Sequence, residues 1–144
     1  MHIGVSAWRL HGQRFGIGRY IEYLLKQWNT MLGPEDRVTL FTRAPFDPRT
    51  LGLSPAFTNQ VIRPALTNAL WENLLLPRAA RHVDVLFGPS YTLPLFYHGR
   101  SVVTIHSVDE AAGALPLWHR LTYSQKYKLS ARRADMVISN ARST

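Results

Sequence analysis

Short apolar runs alternate along this chain with amphipathic stretches of crossover length, and that alternation restricts the fold more than any other feature of the sequence. Runs rich in Val, Ile, Leu, Phe and Thr fall at residues 2–6, 37–42, 83–87, 101–105 and 135–139, with a shorter one at Val61-Ile62. Residues 17–31 carry Ile17, Ile21, Leu24, Leu25 and Trp28 at spacings of three and four, and Gly33-Pro34 stops the helix this predicts. A second helix is predicted over 67–81, with Leu70, Trp71, Leu74, Leu75 and Ala79 on one face. Pro77 is expected to kink that helix or end it early. A third helix is predicted over 117–134, and residues 43–60, with three prolines, read as a long irregular loop.

Several of the strand-like runs are apolar at consecutive positions, which marks strands buried on both faces. The expected fold is therefore α/β: one domain over 1–144 built on a doubly wound, mostly parallel, Rossmann-like sheet. With right-handed crossovers and strand order 3-2-1-4-5-6, the topological switch point lies between the first and fourth strands. Loops 7–19, 88–97 and 106–112 would gather at that crevice.

Composition narrows the function classes. There are 17 Lys+Arg against 9 Asp+Glu, giving +8, while 46% of residues are hydrophobic and 18% charged. A disordered polyelectrolyte would need low hydrophobicity as well as high net charge. Cysteine is absent, so a disulfide scaffold, a thiol nucleophile and a cysteine-held metal are excluded. No apolar run approaches the roughly 18 residues of a membrane span, and no signal peptide is visible at the start. A cytoplasmic location is expected. The basic residues, 14 of them arginine, are spread through the chain, which argues against a nucleic-acid stripe. Only 120–142 is dense in charge. Over 117–133, Leu117, Trp118 and Leu121 could anchor on a membrane's inner face beside Arg120, Lys126, Lys128, Arg132 and Arg133. The competing reading is an ordinary crossover helix.

Three groups of residues invite a chemical role. Gly16-Ile17-Gly18-Arg19 opens the first helix, where backbone N–H groups and the helix dipole favour an anion. The pattern is not the full GxGxxG fingerprint, and no acidic residue is well placed at the end of the second strand, so a dinucleotide domain is disfavoured. A tight strand-to-helix turn is the plain alternative. His106 directly follows the fifth run, at the ligand edge, where an imidazole can bind sugar hydroxyls or exchange a proton. Asp109 follows closely and can bind a polyol or cap a helix. Ser90 and Tyr91, in Gly-Pro-Ser-Tyr after the fourth run, face the same crevice. Trp8, Trp71 and Trp118 read as packing residues.

The order HIGVSAWRL…GIGRYIEYLL, LWENLLLPRAARHVDVLFGPSYTLPL, SVVTIHSVDEAAGALP and RRADMVISNARST resembles the N-terminal domain of family 4 glycosyltransferases. These are retaining GT-B enzymes, often described as group 1 glycosyl or mannosyl transferases. The resemblance covers nearly the whole chain and is weakest over 43–60. It implies a nucleotide-diphosphate sugar as donor substrate, a glycan or lipid-linked acceptor, and no metal or other cofactor. It also implies that Gly16 and Gly18 lie near the donor diphosphate, with His106 near the transferred sugar. Where the family commonly has His-Asp, this chain has His106-Ser107, its first acid being Asp109; where a first-strand Asp is frequent it has Ser6. The family's donor-binding second domain is expected to be missing from these 144 residues, so that activity would need that domain or a partner chain. A non-catalytic sugar- or nucleotide-binding module and a basic polyanion or membrane-surface binder are the alternatives.

Overall fold

The computed structural model describes residues 1–12, 15–64, 66–106 and 117–139, the side chains of 117–124 excepted. Its strands are β1 (His2–Ser6), β2 (Arg37–Thr42), β3 (Phe57–Val61), β4 (Val85–Gly88), β5 (Arg100–Ile105) and β6 (Met136–Ser139). They form one six-stranded sheet in the order β3-β2-β1-β4-β5-β6, with every pair parallel. β1 is central, its Val5 opposite Leu40 of β2 and Phe87 of β4. This is the Rossmann-like order, with the switch point between β1 and β4.

Alternate residues of the strands feed two separate cores. Val5, Val38, Leu40 and Phe87 pack with Ile21 and Leu25 of α1 (Ile17–Met31). Phe41 and Leu86, pointing the other way, pack with Trp71, Leu76 and Ala80. Helices thus cover both faces, as continuous apolar strands require. The apolar stripe of α1 behaves as its spacing predicts: Ile21 and Leu25 are fully buried, while Ile17, Leu24 and Trp28 pack at the core's margin.

Two expectations need correction. The third strand is not a short run at Val61-Ile62 but spans Phe57–Val61, within what reads as irregular loop, after a 3-10 turn at Pro48–Leu51. Its polar Thr58, Asn59 and Gln60 suit an edge strand. Asn59 also holds the neighbouring chain, donating to Leu40 O (3.0 Å) and Thr42 Oγ1 (2.6 Å) and accepting from Phe46 N–H (3.0 Å).

The second correction concerns the helix around Pro77. It runs as α2 (Asn68–Leu70), a π-helical turn Trp71–Leu75, α3 (Leu76–Ala79) and a 3-10 turn Ala80–His82. Pro77 neither ends nor breaks it, because it falls in the first turn after the π segment, where its missing N–H is tolerated. The π turn adds a residue to the repeat and rotates the buried stripe. Trp71 is buried and Leu75 and Ala79 pack at the core's margin, as expected, but Leu76 and Ala80 join the core while Leu70 and Leu74, predicted to face it, are 45% and 42% exposed.

The last long helix is α4 (Leu117–Arg133). At the amino edge of the sheet the same device occurs twice. Asp84 N–H donates to His2 O (2.8 Å) while its Oδ2 accepts from His2 N–H (2.6 Å). Asp135 does the same to Ser101, at 2.9 and 2.8 Å. Each aspartate grips both polar groups of the facing residue and so fixes register where a crossover enters the sheet. We expect Asp84→Ala to lose about 1 kcal/mol in urea denaturation, with Asp84→Asn, which keeps an acceptor, losing less than half of that. An unchanged midpoint in Asp84→Ala would show that the pairing is held without the clamp.

Candidate functional site

At the carboxyl edge of the sheet, the segment after β1 turns away through Ala7, whose N–H donates to Phe41 O at 2.9 Å. It forms a 3-10 turn at Trp8–Leu10 and enters α1 through Gly16, the N-cap, at φ +49°. That conformation favours glycine. As a glycine, this N-cap has no side chain with which to cap the helix end. Gly16 and Arg19 are exposed, whereas Gly18 is buried and its N–H already donates to Phe15 O at 3.0 Å.

Gly88 ends β4, and a Cβ there would lie 2.5 Å from Thr92 O, so only glycine lets the following loop fold back. Tyr91 sits in that loop at φ +68°, a left-handed conformation costing a bulky residue about 1–3 kcal/mol. Three contacts hold it there. Its N–H donates to Thr104 O (3.0 Å), its ring stacks on Tyr127 (4.8 Å between centroids), and the edge of His106 meets it at 5.4 Å.

His106, just past β5, is bound through Nε2 to Pro89 O at 2.8 Å. A carbonyl only accepts, so Nε2 carries a proton in this contact. Tyr20 of α1 completes the junction, its ring edge-on to His106 at 4.5 Å and its hydroxyl 3.1 Å from Thr104 Oγ1. Tyr20 of α1, the Pro89–Thr92 loop after β4 and His106 at the end of β5 therefore meet, while residues 107–112 of the expected third loop lie outside the described residues. Among the candidate residues, His106 and Tyr91 are in direct contact, and Ser90 is buried beside them. Gly16 and Gly18 flank the group through Ile17, which packs against the cluster of Tyr91, Ile105 and Tyr127. Asp109 lies outside the described residues.

Beside this junction opens a cleft of about 830 Å³ between the composite helix 68–82, the β4 loop and α4. Ser90 and Tyr91 line it; so do residues the sequence reading did not single out for a site, among them Arg9, Glu72 and Thr92. Lys126, Lys128 and Arg132, the charges considered for a membrane surface, line the same cleft from α4. The side chains of Leu117, Trp118, Arg120 and Leu121 lie outside the described residues. No helix among the described residues is long and apolar enough to cross a membrane.

Glu72 is the chemically distinctive group. Thr92 Oγ1 donates to its Oε1 at 2.5 Å, clasping the composite helix to the β4 loop. Burial pushes its carboxyl above the usual range, while the Thr92 hydrogen bond, Lys126 and Arg9 pull it partly back. Below the cleft, the guanidinium of Arg43 lies between the indoles of Trp8 and Trp71, 5.9 and 5.6 Å from their centres, and binds Asn68 Oδ1 and Leu66 O. Trp8 and Trp71 are thus packing residues, and they also fix a charge. Among the described residues no three His, Asp or Glu side chains come together as a metal site.

The signal for Glu72 was present as a Glu-Asn pair interrupting an otherwise apolar helix (Leu70-Trp71-Glu72-Asn73-Leu74-Leu75). Asn73 Oδ1 accepts from Leu95 N–H at 2.8 Å, so both polar residues tie the helix to the β4 loop. No protein-family model and no curated protein sequence matches this chain.

Since folding raises the affinity of Glu72 for its proton, its contribution to stability is fully present below the ordinary glutamate pKa of about 4.3 and is lost as pH rises through the higher folded value. Glu72→Gln keeps an acceptor for Thr92 and removes this dependence. Urea denaturation from pH 4 to 8 should show a shallower fall in stability for the variant than for the parent; equal slopes would mean that Glu72 is not strained by burial.

Proposed function

We propose that this domain is the acceptor-side half of a retaining glycosyltransferase that moves a sugar, mannose being the first candidate, from a nucleotide-diphosphate donor to an acceptor. The observation that carries the reading is the junction at the switch point. There a helix N-terminus with glycine as its N-cap, the Pro89–Thr92 loop and His106 come together at the carboxyl ends of β1, β4 and β5. Ligands of open parallel sheets bind outside those ends. In this reading the exposed Gly16 turn faces the donor diphosphate, and Arg19, exposed on the first turn of α1, adds positive charge. His106, fixed by Pro89 and two tyrosine rings, contacts the transferred sugar. Ser90 and Tyr91 bound the acceptor space.

Each feature supplies positioning rather than a reactive nucleophile. Holding donor and acceptor in a reacting geometry accounts for a large part of such catalysis, and stabilising the departing diphosphate for another. A second, donor-binding domain, in the same polypeptide or a partner chain, supplies the nucleotide pocket in this scheme. The cationic cleft also suits a non-catalytic module that binds anionic sugars or nucleotides. Transfer activity separates the two.

With the donor-binding half present, a panel of nucleotide sugars and acceptors should reveal transfer, and His106→Ala should lower kcat by about 10²-fold or more. Unchanged turnover with a lowered melting temperature would make His106 a packing residue. Binding of sugar nucleotides without transfer would favour the module.

A further inference from the structure

Tyr20 belongs to the first turn of α1, but its side chain serves the far end of β5. Its ring packs at the margin of the α1 core, a task that any apolar side chain could perform. Three further contacts give it a wider role. The main-chain N–H donates to Gly16 O at 3.0 Å, the ring lies edge-on to His106 with centroids 4.5 Å apart, and the hydroxyl lies 3.1 Å from Thr104 Oγ1, where either oxygen can donate. One residue therefore spans the helix end and the imidazole.

Thr104 is fully buried and works in both directions. Its Oγ1 meets Tyr20, while its carbonyl accepts from the N–H of Tyr91, the residue in the left-handed region, at 3.0 Å. The imidazole two residues on is held by contacts of different kinds. Nε2 is bonded to Pro89 O at 2.8 Å, which fixes one atom but leaves the ring able to turn about that bond. The rings of Tyr20 and Tyr91, at 4.5 and 5.4 Å, oppose that turning from α1 and from the β4 loop. A tyrosine ring restrains a neighbour only if it is itself held, because the torsion to the ring has a broad minimum. The stacked ring of Tyr127 holds Tyr91, and the hydroxyl on Thr104 holds Tyr20.

We propose that Tyr20 is a positioning residue: its hydroxyl, anchored on Thr104, keeps its ring against His106 and so fixes the angle at which the imidazole meets the transferred sugar. Phenylalanine would fill the same space but lose the anchor, and leucine would lose both the anchor and the ring edge. The inference rests on the transferase reading in naming what His106 meets; the restraint on the imidazole belongs to this chain alone. Misplacing a positioned group by about 1 Å can cost about 10²-fold in rate, so a loosened ring should act on kcat more than on KM.

Two measurements test it. On the chain itself, carbon-13 relaxation at His106 Cε1 reads the order of the ring. From about 0.85 in the parent, the order parameter should fall in Tyr20→Phe and reach about 0.6 or below in Tyr20→Leu. In the protein complemented with the donor-binding half, Tyr20→Phe should lower kcat about tenfold with KM within about twofold. Thr104→Val should do the same, and Tyr20→Phe/Thr104→Val should lose no more than either single change, because both remove one anchor. Tyr20→Phe and Thr104→Val keep side-chain shape, so they decide the matter if Tyr20→Leu does not fold. Tyr23→Leu, at an exposed tyrosine of the same helix, should leave order and rate unchanged. Unchanged ring order with only a lowered melting temperature overturns the proposal. So do additive losses of kcat, and so does a loosened ring with unaltered turnover. Absence of transfer in the complemented parent sinks the transferase reading alone, and ring order in the variants then decides whether Tyr20 positions His106.

Discussion

Parallel pairing of β1 with β4 is the constraint on which the rest of the molecule depends. Both strands point the same way, so neither can be reached from the other by a hairpin, and the chain must cross over between them. The helices that make those crossovers supply the two cores, one around Ile21 and Leu25, the other around Trp71 and Leu76. The same geometry delivers every strand's carboxyl end to one edge. At β1 and β4 the crossovers leave to opposite faces, and the chain parts there. The crevice is a consequence of topology, before any side chain in it is chosen.

What the side chains add is rigidity. The β4 loop is short of regular structure, yet five of its residues between Pro89 and Leu95 are tied to other elements. Pro89 O is held by His106, Tyr91 N–H by Thr104, Leu93 N–H by Ser130, Leu95 N–H by Asn73 and the Thr92 hydroxyl by Glu72. Those partners come from β5, α4 and the composite helix. A left-handed tyrosine persists only where its surroundings over-determine it, and Tyr91 has an aromatic ring on either side. Strain held in this way is common at ligand sites, because a loop that cannot relax presents the same surface before and after binding.

The buried polar groups differ in how well they are satisfied. Asn59 uses both ends of its amide, whereas Ser6 Oγ and Arg43 Nε are buried without a hydrogen-bond partner among the described residues. Ser6 closes β1 at the centre of the sheet's carboxyl edge. Arg43 offsets its unpaired Nε by stacking between Trp8 and Trp71 and by bonds from both terminal nitrogens. Charge is tolerated at that depth because the guanidinium is weakly hydrated and its faces can meet aromatic rings.

Strand order, direction and the faces of α1 were legible because they rest on local periodicity, which a single sequence displays in full. The β3 edge strand was not, since Thr58, Asn59 and Gln60 carry no apolar alternation and their pairing depends on β2. The stripe of the composite helix was legible only in part, at Trp71, Leu75 and Ala79, for a different reason. One π turn changes the repeat from four to five between Trp71 and Leu76, and nothing in residue type alone distinguishes that from a regular helix. The place of His106 at a strand end was legible, and there it bonds Pro89 O and meets two tyrosine rings. The charged cleft was harder, because Arg9, Glu72 and Lys126 are each unremarkable in their own segment. They acquire meaning only through the crossovers that bring the β1 loop, the composite helix and α4 around one concavity. A fold is written in spacing, which is a property of neighbours in sequence; a site is written in convergence, which exists only once the parallel sheet has decided which distant loops share an edge.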